Sequence, residues 1–397
     1  MRKIGDLCYG RGKNNVYIKE SFRLLFFSWS LTGIAPTKTP RLFNTIFMII
    51  CWCGILMCPY CFIAGAVNSM KTSVITVTLV NLQAALNGIA LPLKAITIAV
   101  NVKRLRSIDN IFKELDNSYT DPVHHELIKK SVMRCTRLFV VFLTVYWLYG
   151  ITSCTAALFS HKYPHSMQIP FIDWLPDSDV KYWLHYILEA SYFFFLLLVN
   201  LTNDVFPAIY IKAIRTHLYL LTERVSTIGK KSETTAEQNY DTLVECIISH
   251  QKLLRISDTV GDVISKSIFF QLAVYSTILC ICMLNMLIFA DTTYILVTLV
   301  YLIPVLSQTI PSCYQASMLE AESTKLSVAI FHTNWWNLDK RCHKLLIYFI
   351  QRSQQEMVFT AVKLFQISLK TNLTIAKFSF TLYTFINKMG IGETWKN

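Results

Sequence analysis

Three groups of residues in this 397-residue chain have types and spacings that could do chemistry. HKYPH sets His161 and His165 at i, i+4, where two imidazoles on one helical turn could share a metal. Pro164 between them breaks the regular helix this needs. CPYC (Cys58, Cys61) has redox-motif spacing, but it lies in an apolar run with no βαβ pattern around it, which reads as ordinary membrane-helix cysteines. VYWLYGITSC places Tyr146, Tyr149, Gly150 and Ser153 at i, i+3, i+4 and i+7, one face of a helix. A glycine leaves room there, two tyrosines offer walls with polar tips, and a serine hydroxyl can donate a hydrogen bond. Plain helix packing is the competing reading, because aromatic residues make up 13% of the chain. No Walker loop, GxGxxG or GxSxG is present, and nothing calls for a cofactor.

The elements that position these residues are membrane helices. Hydrophobic residues make up 53% of the sequence and charged residues only 16%, against about 25% in average soluble chains. Mean hydropathy is +0.40. Seven stretches are long and apolar enough to span: Leu42–Val67, Val74–Val100, Leu138–Phe159, Tyr182–Ile211, Ile268–Ala290, Thr292–Cys313 and Phe359–Met389. The net charge of +13 would suit a nucleic-acid binder in a soluble chain, but the apolar runs exclude that class. No early apolar core marks a cleavable signal, so the first span is expected to direct insertion. The twelve cysteines are scattered and form no disulfide framework.

Charge placement sets the expected orientation. Alternate connections, counting the N-terminal segment 1–41 and the connections 101–135, 212–266 and 314–355, hold 28 Lys and Arg, against 5 in the other set. The chain is therefore expected to be all-α and polytopic. Its N-terminus is cytosolic, and its tail, 390–397, is outside. The 160–181 connection is an outer loop. This is the inverse of a G-protein-coupled receptor, and DRY and NPxxY motifs are missing. A secondary transporter would show internal repeats, and none is evident.

The inner connections have helical periodicity. Leu243, Ile247, Leu254 and Val260 share one face, and Leu346, Phe349, Ile350, Met357 and Ala361 another. These amphipathic segments could lie on the membrane surface or pack together, and packing is the reading taken: one cytosolic helical region, with 314–369 as an anchor and, if the helix from Leu345 continues, Phe359–Leu369 as the end of that bundle. A break near Ser368–Asn372 leaves 370–389 for the final span, most of it Leu373–Met389. Lys370 then sits at the inner boundary and Lys377 lies within the membrane, where it either snorkels or borders a water-filled path. Glu189, Asn200 and Asp204 in the fourth span need partners or mark its exit from lipid, and Lys94 is one available partner.

FTAVKLFQISLKTNLTIAKFSFTLYTFINKM, with SQTIPSCYQASMLEAESTKLSVAIFHTNWWNLD and YPHSMQIPFIDWLPD upstream, resembles the insect odorant receptor family, of the ligand-specific, dipteran kind. One departure stands out: Val362 and Lys363 occupy positions where small residues are common, and Gln366 replaces a proline. The resemblance implies a ligand-gated, non-selective cation channel in the plasma membrane of olfactory neurons. It also implies a heterotetramer with a shared co-receptor subunit and a last helix lining the pore. By position, Leu382, Phe385, Ile386 and Met389 would carry the gate, with Lys377 below them. A volatile ligand would bind among segments two, three, four and six, in the outer half of the membrane. The candidate contacts are Asn87, Ala90 and Leu93; Tyr146, Tyr149, Gly150 and Ser153; Tyr192 and Leu196; and Tyr294, Thr298 and Tyr301.

Overall fold

The computed structural model describes residues 16–36, 42–72, 75–165, 167–170, 172, 176, 178–230, 235–289 and 292–388. Among them the helices are α1 (Arg23–Leu31), α2 (Leu42–Thr72), α3 (Ile75–Asn117), α4 (Pro122–Phe159), α5 (Asp179–Ser226), α6 (Ala236–Leu284), α7 (Thr292–Phe331), α8 (Lys340–Ser353) and α9 (Leu369–Lys388). Helices α2 to α7 are long and apolar enough to cross a membrane. Helix α9 has 20 residues, about 30 Å and thus length enough, but three lysines and a run of Thr, Ser and Asn make it more polar than the other six.

The helices overrun the apolar stretches that define the spans. Helix α3 continues to Asn117 and α5 to Ser226, so the basic connections are continuations of spans rather than separate loops. Helix α5 is the axis of the fold. Of its most apolar stretch 83% is buried inside the chain, against 28% for α2 and for α4. At the basic end the N-terminal segment packs into this core: Ile18, Phe22, Leu25 and Trp29 are fully buried, and the Phe22 ring stacks on Tyr210 of α5 at 4.2 Å. The Ile18 N–H donates to Asp116 Oδ2 at 2.9 Å, and His217 Nε2 lies 3.3 Å from the other oxygen of that carboxylate.

The stretch Phe359–Leu369 is not the end of a helix. Helix α8 stops at Ser353, and the chain forms a hairpin of β1 (Thr360–Ala361) and β2 (Phe365–Gln366), paired antiparallel with Thr360 opposite Gln366. Met357, Phe359 and Ala361 are buried while Val358 and Thr360 are exposed, an alternation of period two that a strand satisfies and a helix does not. The turn is closed by Leu364 N–H donating to the Ala361 carbonyl at 2.9 Å. Val362 and Lys363 both have positive φ, 49° and 58°, which suits the small residues usual in the family. Gln366 donates to Glu320 Oε2 at 2.7 Å and accepts on its carbonyl from the Thr371 hydroxyl at 2.6 Å, so the position that lacks a proline is fixed by hydrogen bonds. A β-branched residue at positive φ is strained by about 1–3 kcal/mol. Val362→Gly is expected to raise the unfolding temperature of the detergent-solubilised protein, a gain of about 1 kcal/mol after the entropy cost of glycine. The same change at Val358 is expected to lower it.

Candidate functional site

A cavity of about 70 Å³ lies where α2, α3, α4, α5 and α7 converge. Its walls are Phe62 from α2, Ala84, Asn87, Gly88 and Leu91 from α3, Tyr149 from α4, Phe193, Leu196 and Leu197 from α5, and Tyr301, Pro304 and Val305 from α7. His165, from the loop after α4, closes one end. Two larger grooves, near Arg255 and Tyr348 and near Val328 and His332, are open depressions at the basic end. The lining is mainly apolar and aromatic, so dispersion and shape would govern what fits. Polar atoms are few and placed. Asn87 Nδ2 donates to the Tyr301 hydroxyl at 2.7 Å, which leaves the Tyr301 proton available to an acceptor in the cavity.

The opposite end of the cavity is a buried polar network. Tyr146, Asn200 and Gln308 line the space and also join the network. Lys94, 1% exposed, donates to Asp204 Oδ1 at 2.7 Å, to Asn200 Oδ1 at 2.7 Å and to Gln271 Oε1 at 2.6 Å. Asp204 Oδ2 accepts from the Tyr146 hydroxyl at 2.7 Å, and Gln271 donates in turn to Gln308. The three ammonium protons and both carboxylate oxygens are thus engaged. A buried ion pair is tolerable only with such complete satisfaction. Five helices, α3 to α7, meet in this one network.

The network continues toward the last helix. Tyr275, one turn along α6 from Gln271, donates to Asn372 of α9 at 3.4 Å. Asn372 Nδ2 donates to Thr309 of α7, the neighbour of Gln308, at 2.7 Å. Helix α9 presents Asn372 and Ser379 to the bundle, with Leu382 and Ile386 half-buried on the same side. Lys377 and Phe385 lie on the exposed side. Met389 is outside the described residues.

Of the twelve residues expected to hold a ligand, the structure brings Asn87, Tyr146, Tyr149, Leu196 and Tyr301 onto the cavity. The other described ones lie elsewhere. Gly150 leaves room for helix packing, since a Cβ there would stand 2.7 Å from Phe194 Cε1 and 2.8 Å from Leu197 Cδ1. Ser153 Oγ is 3.2 Å from His165 Nε2 and holds the loop. Tyr192 donates to the Gly54 carbonyl of α2 at 2.6 Å. Leu93 is 39% exposed, Ala90 is buried off the cavity, and Thr298 accepts from Asn285 at 3.3 Å. The Tyr294 side chain is outside the described residues. His165, Asn200 and Gln308 were not expected here. A polar residue inside an apolar helix was the available signal for the last two.

The loop that carries His165 is pinned into the bundle. Glu189, fully buried, accepts from the backbone N–H of His165 at 2.8 Å and of Met167 at 3.3 Å. His185 sits 3.6 Å from the other Glu189 oxygen and 3.1 Å from the Met167 carbonyl. The His165 ring packs 4.0 Å from Phe193, and burial pushes its pKa down from 6.5 to about 4. The docked loop therefore holds a neutral imidazole, whereas an undocked one binds a proton below 6.5. The docked state binds fewer protons between these values, so docking weakens as pH falls from about 6.5 towards about 4. Acidifying the bath from about pH 7.5 to about pH 5 is expected to lower the docked-to-undocked ratio of this loop roughly thirtyfold and to weaken ligand responses with it, and His165→Phe to flatten that dependence. An unchanged pH profile in the variant would show that His165 is not the titrating group.

The model of the family described as 7tm Odorant receptor matches residues 75–380. Odorant receptor 43b of Drosophila melanogaster is 35% identical over 79% of this chain and 78% of its own length. Odorant receptor 42a of the same species is 31% identical over 86% and 84%. Among solved structures, the insect olfactory receptor OR5 from Machilis hrabei superposes with a TM-score of 0.76 over 93% of this chain and 98% of its own, at 14% identity. The same receptor in complex with eugenol matches equally well, at 0.76 over 94% and 97%. With its family match across α3 to α9 and its dipteran relatives above 30% identity, the chain belongs to the insect odorant receptor family.

Proposed function

We propose that this chain is the ligand-binding subunit of an odorant-gated, non-selective cation channel, assembled with a shared co-receptor subunit in the plasma membrane of olfactory sensory neurons. The observation that carries this reading is the continuity between cavity and last helix. A volatile molecule seated against Tyr146, Asn200 or Gln308 touches the network that holds α6 and α7, and those two helices hold α9 through Asn372. A cavity of about 70 Å³ is smaller than most ligand pockets, so binding must displace side chains, and that displacement is the available work. The orientation that fits the charge distribution has the basic end in the cytosol, the cavity nearer the outside and α9 on the conduction path. The polar composition of α9 supports that placement, because a helix facing water on one side needs no lipid-compatible surface there.

The test is whole-cell recording from cells expressing this chain with and without an insect co-receptor, during an odorant panel, with G-protein signalling blocked. Rapid cation current only in the co-expressing cells is the expected result. Current that disappears with the G-protein block would overturn the channel reading.

A further inference from the structure

Helix α9 carries its charge on one side. At 100° per residue, Lys370, Lys377 and Lys388 fall within about 20° of one another, with Thr374 and Thr381 between them. All five are exposed in the single chain. Asn372 and Ser379, which face α6 and α7, lie diametrically opposite. No Asp or Glu occurs in Leu369–Lys388, and among the described residues no acidic side chain of this chain pairs with Lys370 or Lys377. The helix is therefore a purely cationic stripe, two turns or about 10 Å between its first two charges, interleaved with hydroxyls.

We infer that Lys370 and Lys377 face the conduction path and lower its divalent permeability relative to monovalent, in a channel that does not select among monovalent cations. The inference rests on the proposed placement of α9 at the pore. A fixed positive potential lowers the local concentration of a monovalent cation by one Boltzmann factor and of a divalent cation by the square of that factor. Each lysine thus divides the divalent-to-monovalent ratio once more. For an ammonium about 5 Å from the ion path in water, the factor is roughly four without salt and two with physiological screening. Lysine rings by themselves suit anion pores, so cation flow requires this stripe to tune the potential of the path without dominating it.

The experiment measures reversal potentials under calcium-against-sodium gradients in channels of this chain with the co-receptor. Lys377→Gln is expected to raise relative calcium permeability roughly threefold, Lys377→Glu further, and Lys370→Gln/Lys377→Gln roughly tenfold. A second measurement works within single channels. Lys377→Cys is treated with cationic or anionic water-soluble thiol reagents, and the cationic adduct is expected to lower calcium permeability relative to the anionic one. If both reagents alter the current but the ratio is the same after each, the helix is in water and the charge-discrimination inference is overturned alone. If neither reagent acts on open channels and the ratio is unchanged in Lys377→Gln, this face does not line the pore, and both the inference and the proposed placement of α9 fall.

Discussion

Asp204→Asn is expected to remove most of the receptor from the cell surface. Lys94 is held by three side-chain oxygens, and the Asp204 carboxylate supplies the only negative charge among them. Losing one partner of a buried pair costs about 3–5 kcal/mol, because the other charge stays buried without compensation. That is a large share of the 5–15 kcal/mol that typically separates folded from unfolded states. Lys94→Met should be comparably damaging, as it leaves Asp204 with only the Tyr146 hydroxyl at 2.7 Å. The double variant Lys94→Met/Asp204→Leu should recover much of the loss, since it removes both charges and keeps the volume apolar. Surface biotinylation and the thermal midpoint of the solubilised protein measure this. Single variants at the level of the unmodified chain would show that the pair contributes nothing to folding.

Tyr149→Ala is expected to rewrite the odour response while leaving surface assembly intact. Tyr149 packs on Tyr301 at 5.7 Å, on Phe193 at 6.0 Å and on His165 at 6.3 Å between ring centroids, so it joins three of the other aromatic walls of the cavity. Removing the ring takes away apolar contact equivalent to about 1.5–3 kcal/mol for a ligand that touches it, a shift of roughly 10- to 100-fold in half-maximal concentration. Bulkier odorants should gain where the best small ones lose. Tyr149→Phe separates shape from hydroxyl: it should retain the response to apolar ligands. A dose–response profile unchanged across the panel in Tyr149→Ala would place the ligand outside this cavity.

How much of this was legible in the sequence depended on which period a stretch obeyed and how local its partners were. Lengths and apolar content located α2 to α7, because a helix that spans satisfies its own backbone whatever surrounds it. The stretch after α8 failed because Leu346, Phe349, Ile350, Met357 and Ala361 fit a helical spacing, while Met357, Phe359 and Ala361 also fit a strand. Ser323, Ser265 and Glu320, which bond Met357, Val362 and Gln366 from helices far away in sequence, decide between the two. In α4 the face from Tyr146 to Ser153 was identifiable, but its four residues do four different jobs: the network, the cavity wall, the helix contact and the loop clasp. Spacing marks a face and cannot say what stands opposite. Likewise Lys94 could be seen to need an acid, and the choice of Asp204 over Glu189 required the depth of α5 relative to α3.

The Lys94–Asp204 pair also sets an order of events during synthesis. Its two members are 110 residues apart, so at about 5–20 residues per second Lys94 waits roughly 5–20 s for its carboxylate. Gln271 and Gln308 emerge later still. Through that interval the second span carries an ammonium with no anion, and it must be sheltered by the translocation machinery or held near a headgroup. The arrival of α5 neutralises that charge and draws α3 and α5 together before α6 and α7 exist. The most deeply buried span is then the one that makes the half-built protein acceptable to the bilayer, and the cavity beside it takes shape around a centre assembled earlier.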